Sequence, residues 1–456
     1  MSDGQTDPVS DSTPTTPRIL TLMGSGETAP TMVGTHRRLA GRLADGPATV
    51  RSMVRAVVLD TPYGFQENAA ELAERAVQYF SESVDVDLAV AGLTRLDHDD
   101  PLSVEQGLDR LRASDYVFAG PGSPTYALAQ WNDGPVPGIL RAKLDRGGIV
   151  VFASAAALTL GVATVPVYEI YKCGHAPHWL EGLDLLGQLG IRAAVIPHFD
   201  NAEGGHHDTR FCYLGEKRLV AMERMLPDEA WVLGIDEHTG LVLDLDAGTA
   251  EVVGNSTVTI RVGGRSLAHP SGTVIGIEDL IDPAAATGGV ARTRSAPADA
   301  DRGDTTPTGT PDTEPTSLSA AATAIGAAFD AALDTGDADG ATRSVLELEA
   351  AIHAWSADTL QGDEADRARE QLRAMITRLG TAARRGVLDP RTVVEPFVGA
   401  LLEVRAHARA EKRYDLSDIV RDRLAAAGVE VRDTPEGMVW DLVRDRLAQA
   451  ERDAAE

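Results

Sequence analysis

The stretch "GGIVVFASAAALTLG", Gly147 to Gly161, closes an apolar run on a single hydroxyl, Ser154, followed by small residues. A serine on a tight strand-to-helix turn is pushed outward by the backbone, and small neighbours let the helix pack close. Its hydroxyl is a poor nucleophile until a base accepts the proton, a role that suits histidine at neutral pH. His198, after the run "AAVIP", is the candidate base. A third group, usually a carboxylate, must orient the imidazole, and the oxyanion needs preorganised donors. The backbone N–H groups of Gly122 and Ala155 are candidates for the latter, glycine because it permits close approach. Each residue also has a plain reading, as a turn serine and a buried histidine, so their co-location is what decides.

The elements around these residues alternate. Short β-rich runs "RILTLMG", "VRAVVLD", "VDLAVAG", "DYVFAG", "GIVVFAS" and "RAAVIPHF" are separated by helical patterns such as "QENAAELAERAVQYFSES" and "SVEQGLDRLRAS". That pattern predicts an α/β fold, an open, mostly parallel sheet flanked by helices. Ligands in such sheets bind at the carboxyl ends of the strands, where "MGSGETAP", "AGPGSPTYAL", Ser154 and "PHFDNAEGGHHDTRFCYLGE" should gather. After Trp231 short alternating strands joined by Gly, Asn and Asp turns read as antiparallel hairpins that close the domain near Ile281.

The chain has 456 residues, which favours more than one domain. Residues 1–17 and 282–317, rich in Ser, Thr, Pro and Asp or Gly, read as a disordered tail and a flexible linker. They leave an α/β domain at 18–281 and a segment at 318–456. The latter shows helical runs Leu318–Leu333, Ala341–Trp355, Ala365–Leu379, Pro396–Ala410, Leu416–Ala427 and Met438–Ala450, with a short hairpin at "GVEVRDTPEGMVW". An all-α bundle is the reading of that segment.

Composition narrows the function classes. A net charge of -27 argues against general nucleic-acid binding through a basic surface. Two cysteines, Cys173 and Cys212, allow no disulfide framework and no cysteine-based zinc site. His206, His207 and Asp208 have metal-ligand chemistry, but adjacent histidines point apart in most backbones, so they are read as shaping a substrate loop. No metal or organic cofactor is expected. "GSGETAP" is read as a site wall, with Glu27 as a substrate contact. The polar, acidic start has no apolar core of a secretory signal and no run reaches membrane-spanning length, so a soluble cytoplasmic protein is expected.

"GPGSPTYAL", a strand ending at Ser154, "PHFD" and "GIDEHTGLVLD", in that order, resemble the cyanophycinase and aspartyl dipeptidase family of serine peptidases over residues 18–281. The resemblance implies a class I glutamine amidotransferase-like fold and hydrolysis of peptide bonds next to aspartate by a Ser–His–acid triad. It places Ser154 as nucleophile, His198 as base, and Gly120, Gly122 and Ser123 at the oxyanion loop. The acid is Glu169 of "VPVYEIY" or Glu237 of "GIDEHTG", with Glu169 preferred. Where the family carries glycines two residues before and after the serine, this chain has Phe152 and Ala156. The loop after His198 is also longer, with Arg210 a candidate for a substrate carboxylate.

"RAHARAEKRYDLSDIVRDRLAAAGVEVRDTPEGMVWDL", Arg405 to Leu442, resembles the C-terminal end of cysteinyl-tRNA synthetases, through Arg409, Glu411, Lys412, Asp418, Arg421, Asp422, Leu424, Gly428, Asp433, Gly437 and Trp440. Phe329 to Ile352 fits the preceding helical region of that family. The synthetase catalytic domain has no counterpart, so cysteine activation is excluded. From Leu318 onward 18 Arg and Lys face 26 Asp and Glu, the wrong sign for phosphate. A local basic face of Arg384, Arg385, Arg405, Arg409, Lys412 and Arg413 would be needed to bind tRNA. The leading expectation is a serine-type hydrolase acting on a small peptide or amide, fused to a synthetase-like helical domain. The alternative is a non-catalytic RNA- or ligand-binding protein with an inactive amidotransferase-like domain.

Overall fold

The computed structural model describes residues 16–44, 53–97, 100–203, 207–283, 317–356, 364–385, 390–434 and 437–443. These fall into two compact units, one drawn from residues 1–316 and 353–365, the other from 317–352 and 366–456. The expected tail and linker lie almost wholly outside the described residues.

The first unit is built on an eight-stranded sheet. Strands β1 (Arg18–Met23), β2 (Ala56–Val58), β3 (Leu88–Val90), β4 (Tyr116–Ala119) and β5 (Gly148–Ala153) run parallel in the order β1-β5-β4-β2-β3. They read as nearly continuous apolar runs because both faces are covered. Alternate residues supply two cores. Leu20, Leu22, Val150 and Phe152 pack with Leu111, Trp131 and Leu140 from helices Pro101–Ala113, Pro124–Trp131 and Val136–Arg146. Ile19, Met23, Ile149 and Val151 pack with Met32, Leu39 and Tyr79 from helices Pro30–Gly41 and Ala69–Tyr79. This is the expected doubly covered sheet.

One strand departs from expectation. After a small ribbon of β6 (Ala163–Thr164) and β7 (Leu180–Glu181), β8 (Ala193–Ile196) does not join the parallel sheet. It pairs in parallel with β9 (Trp231–Ile235), at the edge of a separate four-stranded sheet. The remaining strands form the expected hairpins. Strands β10 (Thr239–Asp244) and β11 (Thr249–Gly254) extend the large sheet beside β1, with β14 (Val274–Gly276) at the edge. Strands β12 (Thr257–Val262) and β13 (Arg265–Pro270) complete the small one.

The second unit contains helices Leu318–Thr335, Ala338–Ala354, Glu364–Arg385, Pro390–Ala410 and Tyr414–Ala426. It is not purely helical. Strands β15 (Val429–Thr434) and β16 (Gly437–Leu442) form a hairpin around a small core of Val398, Leu402, Leu424, Val429 and Trp440. The helix expected from Met438 is therefore a strand up to Leu442, because Met438, Trp440 and Leu442 alternate inward at the strand period. Residues 444–450 of that expected helix lie outside the described residues.

Candidate active site

Ser154 ends β5 and begins the helix Ser154–Leu158 with φ +48°, in the left-handed region. A non-glycine residue held there costs about 1–3 kcal/mol, and such strain clusters where a side chain must be presented. Small neighbours allow the turn: the Ala156 N–H donates to the Gly120 carbonyl at 3.2 Å. Phe152, where the family carries glycine, is fully buried in the core with its ring 5.9 Å from that of Trp131, and it does not line the cavity at Ser154.

His198, itself at φ +49°, follows β8. Its Nε2 lies 2.9 Å from Ser154 Oγ. Its Nδ1 lies 2.9 Å from Glu237 Oε1, on the turn between β9 and β10. Of the two candidate acids it is thus Glu237, and not the preferred Glu169, that hydrogen-bonds the imidazole. Glu169 sits on the short helix Val167–Tyr171, with Oε2 buried and no hydrogen-bond partner. Asn201, which sequence reasoning missed, donates Nδ2–H to Glu237 Oε1 at 3.0 Å, and its N–H donates to the His198 carbonyl at 3.2 Å. Its only signal was its place just after "PHFD".

The electrostatics suit a base. Burial alone would lower the His198 pKa, but the bond to Glu237 and the charges of Glu237, Glu27 and Glu203 outweigh it and hold the imidazole above the ordinary value. Burial opposes ionisation of Glu237 too, yet His198 and Asn201 keep its carboxyl below the usual range.

Ser154 and His198 open on a cavity of about 490 Å³ that is also lined by Gly120, Gly122 and Ala155. Gly122 has φ +137°, and a Cβ there would lie 2.0 Å from the Pro62 carbonyl oxygen, so only glycine fits. Ala155 is in the first turn of its helix, where N–H groups lack intrahelical acceptors. Three other expected site residues are placed as follows. The Ser123 hydroxyl caps helix Pro124–Trp131 by accepting from the Tyr126 N–H. Glu27 is fully buried behind Gly120, whose Cβ would come within 2.9 Å of Glu27 Oε1. Arg210 is bound through two nitrogens to Asp208, at 2.8 and 2.9 Å, and lies over the Phe211 ring. Arg210 is not among the residues that line the cavity. His206 lies outside the described residues, and Asp208 is further engaged by the Glu216 N–H. Among the described residues no three metal-ligating side chains cluster.

Behind His198 the chain takes three consecutive left-handed residues, Phe211, Cys212 and Tyr213, at φ +63°, +54° and +65°. Each costs about 1–2 kcal/mol. The N–H groups of Phe211 and Cys212 donate to the Phe199 and His198 carbonyls, which ties the turn to the base. Arg210 and Arg261 both lie over the Phe211 ring, and Arg261 is held by Glu216 and Glu223.

Fold and geometry together define an α/β protein with a serine–histidine–glutamate relay at the edge of a cavity, followed by a helical unit with a terminal hairpin. Residues 394–440 match the family described as cysteinyl-tRNA ligase anticodon binding domain. The cysteine–tRNA ligase of Nitratidesulfovibrio vulgaris (strain Miyazaki F) is 49% identical over 61 residues, 13% of this chain and 11% of that protein. That of Paenarthrobacter aurescens (strain TC1) is 33% identical over 114 residues, 25% of this chain and 19% of that one. The chain thus spans between a tenth and a fifth of the length of these two relatives. A peptidase from an acI-B1 actinobacterium aligns with 57% of this chain and 97% of its own, at 22% identity and a TM-score of 0.45. Among the described residues no helix is long and apolar enough to cross a membrane.

Proposed function

We propose that the first unit is a serine-type hydrolase of peptide or amide bonds. The observation that carries this reading is the unbroken relay from Ser154 Oγ through the two nitrogens of His198 to Glu237, each step 2.9 Å. Ser154 attacks the carbonyl carbon as His198 Nε2 takes its proton. Glu237 holds the ring by Nδ1 and stabilises the imidazolium that forms. The N–H groups of Gly122 and Ala155 receive the developing oxyanion. His198 then gives the proton to the leaving amine, and water repeats the sequence on the acyl-enzyme. The cavity suits a small peptide or amide. A fluorophosphonate probe should label the native protein on Ser154, and Ser154→Ala should lose both labelling and hydrolysis. A native protein that never labels sinks the reading.

A further inference from the structure

The relay depends on two loops that leave different strands, and the ladder between them ends before the catalytic residues. Strands β8 and β9 pair as far as Ile196 and Gly234. One further backbone bond, from the Phe199 N–H to the Ile235 carbonyl at 3.1 Å, extends the pairing. Beyond it, Asp200 Oδ1 accepts the Glu237 N–H at 2.8 Å. A side chain thus takes over where the ladder stops, two residues after the base, and it grips the backbone of the acid itself.

We propose that Asp200 is a positioning residue, whose carboxylate fixes the backbone of Glu237 and so holds the acid in register with His198. The proposal rests on the relay reading above. The rest of the turn is anchored from the far side: Asp236 Oδ2 accepts from the Thr257 N–H and from the Ser256 and Thr257 hydroxyls. Those bonds set the turn against β12, whereas Asp200 and Asn201, with His198 itself, set it against the loop that carries the base. A charged acceptor makes the stronger bond. The charged groups acting on Asp200 are Asp236 and Glu237, both from the turn. Desolvation where the carboxyl meets the turn, with the charges of Asp236 and Glu237, pushes Asp200 up to about 6.

Two variants of the full chain test this. Asp200→Ala should lower kcat by about 10- to 100-fold, the scale of a misplaced catalytic group, with KM within about twofold. Asp200→Asn keeps an acceptor oxygen for the Glu237 N–H, so it should restore most of kcat. In a Ser154→Ala background, where hydrolysis plays no part, the downfield proton resonance of His198 Nδ1–H should persist in Asp200→Asn and broaden or vanish in Asp200→Ala. An Asp200→Ala protein that keeps both kcat and the resonance overturns the proposal. So does a folded Asp200→Asn protein that loses the resonance, which decides the matter even where Asp200→Ala does not fold. A native protein inert to probe and substrate defeats the hydrolase reading instead, while the resonance still reports on Asp200.

Discussion

At the scale of single residues, the His198–Glu237 pair sets the pH behaviour. A general base works only when neutral, and His198 is held above the ordinary histidine value of about 6.5. The acid limb of kcat/KM should therefore lie above that value, with activity lost as pH falls through it. Glu237→Gln removes the charge that raises the imidazole, so the limb should move downward. Its kcat should also fall by about 10³- to 10⁴-fold, because an amide no longer fixes the tautomer or stabilises the imidazolium. A pH profile of the variant checks both, and an unmoved limb would detach Glu237 from the base. Ser154 and His198 were legible in the sequence because each follows directly on an apolar strand, and strand ends are where an α/β sheet exposes side chains. The choice between Glu169 and Glu237 was not. It depends on a turn between β9 and β10 whose distance from His198 is set by the pairing of β8 with β9. The pairing of Arg210 with Asp208 was not legible for a similar reason: spacing alone does not reveal that a pair has formed.

At the scale of elements, the site is carried by close approaches that tolerate no extra atoms. The Gly122 loop lies against Pro62 and Tyr63, with the Ser123 N–H donating to the Pro62 carbonyl at 2.8 Å. Gly122→Ala would bring a Cβ within 2.0 Å of that oxygen, at a φ that L-residues rarely adopt. At that distance the backbone must shift, which destabilises the loop and displaces the oxyanion donor. Thermal unfolding should show a lower Tm and probe labelling should slow at least tenfold; a variant matching the native protein in both would remove the loop from the oxyanion site. The parallel strands, the flanking helices and most helices of the second unit follow directly from hydrophobic period. Sheet membership does not. The "RAAVIP" run of β8 is as apolar as β5, and nothing local distinguishes a strand of the large sheet from one of the small. The hairpin of β15 and β16 was legible in "GVEVRDTPEGMVW", but the same limit blurred where β16 ends: a segment with Met438, Trp440 and Leu442 at alternate positions and a polar, arginine-rich continuation reads equally as the start of a helix.

At the scale of the whole molecule, charge governs what the second unit can meet. Its matched region carries arginines, and a tRNA partner would need them turned toward phosphate. The structure pairs several of them internally. Arg405 is buried, with a side chain 1% exposed, and binds both Asp433 oxygens at 2.7 and 2.9 Å. Arg409 reaches Asp433 at 3.2 Å. Arg391 and Arg432 share Asp441. The Arg384 and Arg385 side chains lie outside the described residues. Arg405 thus belongs to the core of the hairpin and not to the basic face that the sequence suggested. On a chain of net charge -27, the full-length protein should hold total tRNA only in the non-specific range at physiological salt, a Kd of about 10⁻⁴ to 10⁻⁶ M, with a steep salt dependence. Asp433→Asn removes the carboxylate that engages Arg409. It should tighten binding at low salt and steepen the salt slope by about one for each additional phosphate neutralised, provided circular dichroism shows the fold retained. Filter binding across a salt series reads both quantities. Nanomolar binding by the native chain at physiological salt would contradict the prediction and require a basic face built from other residues.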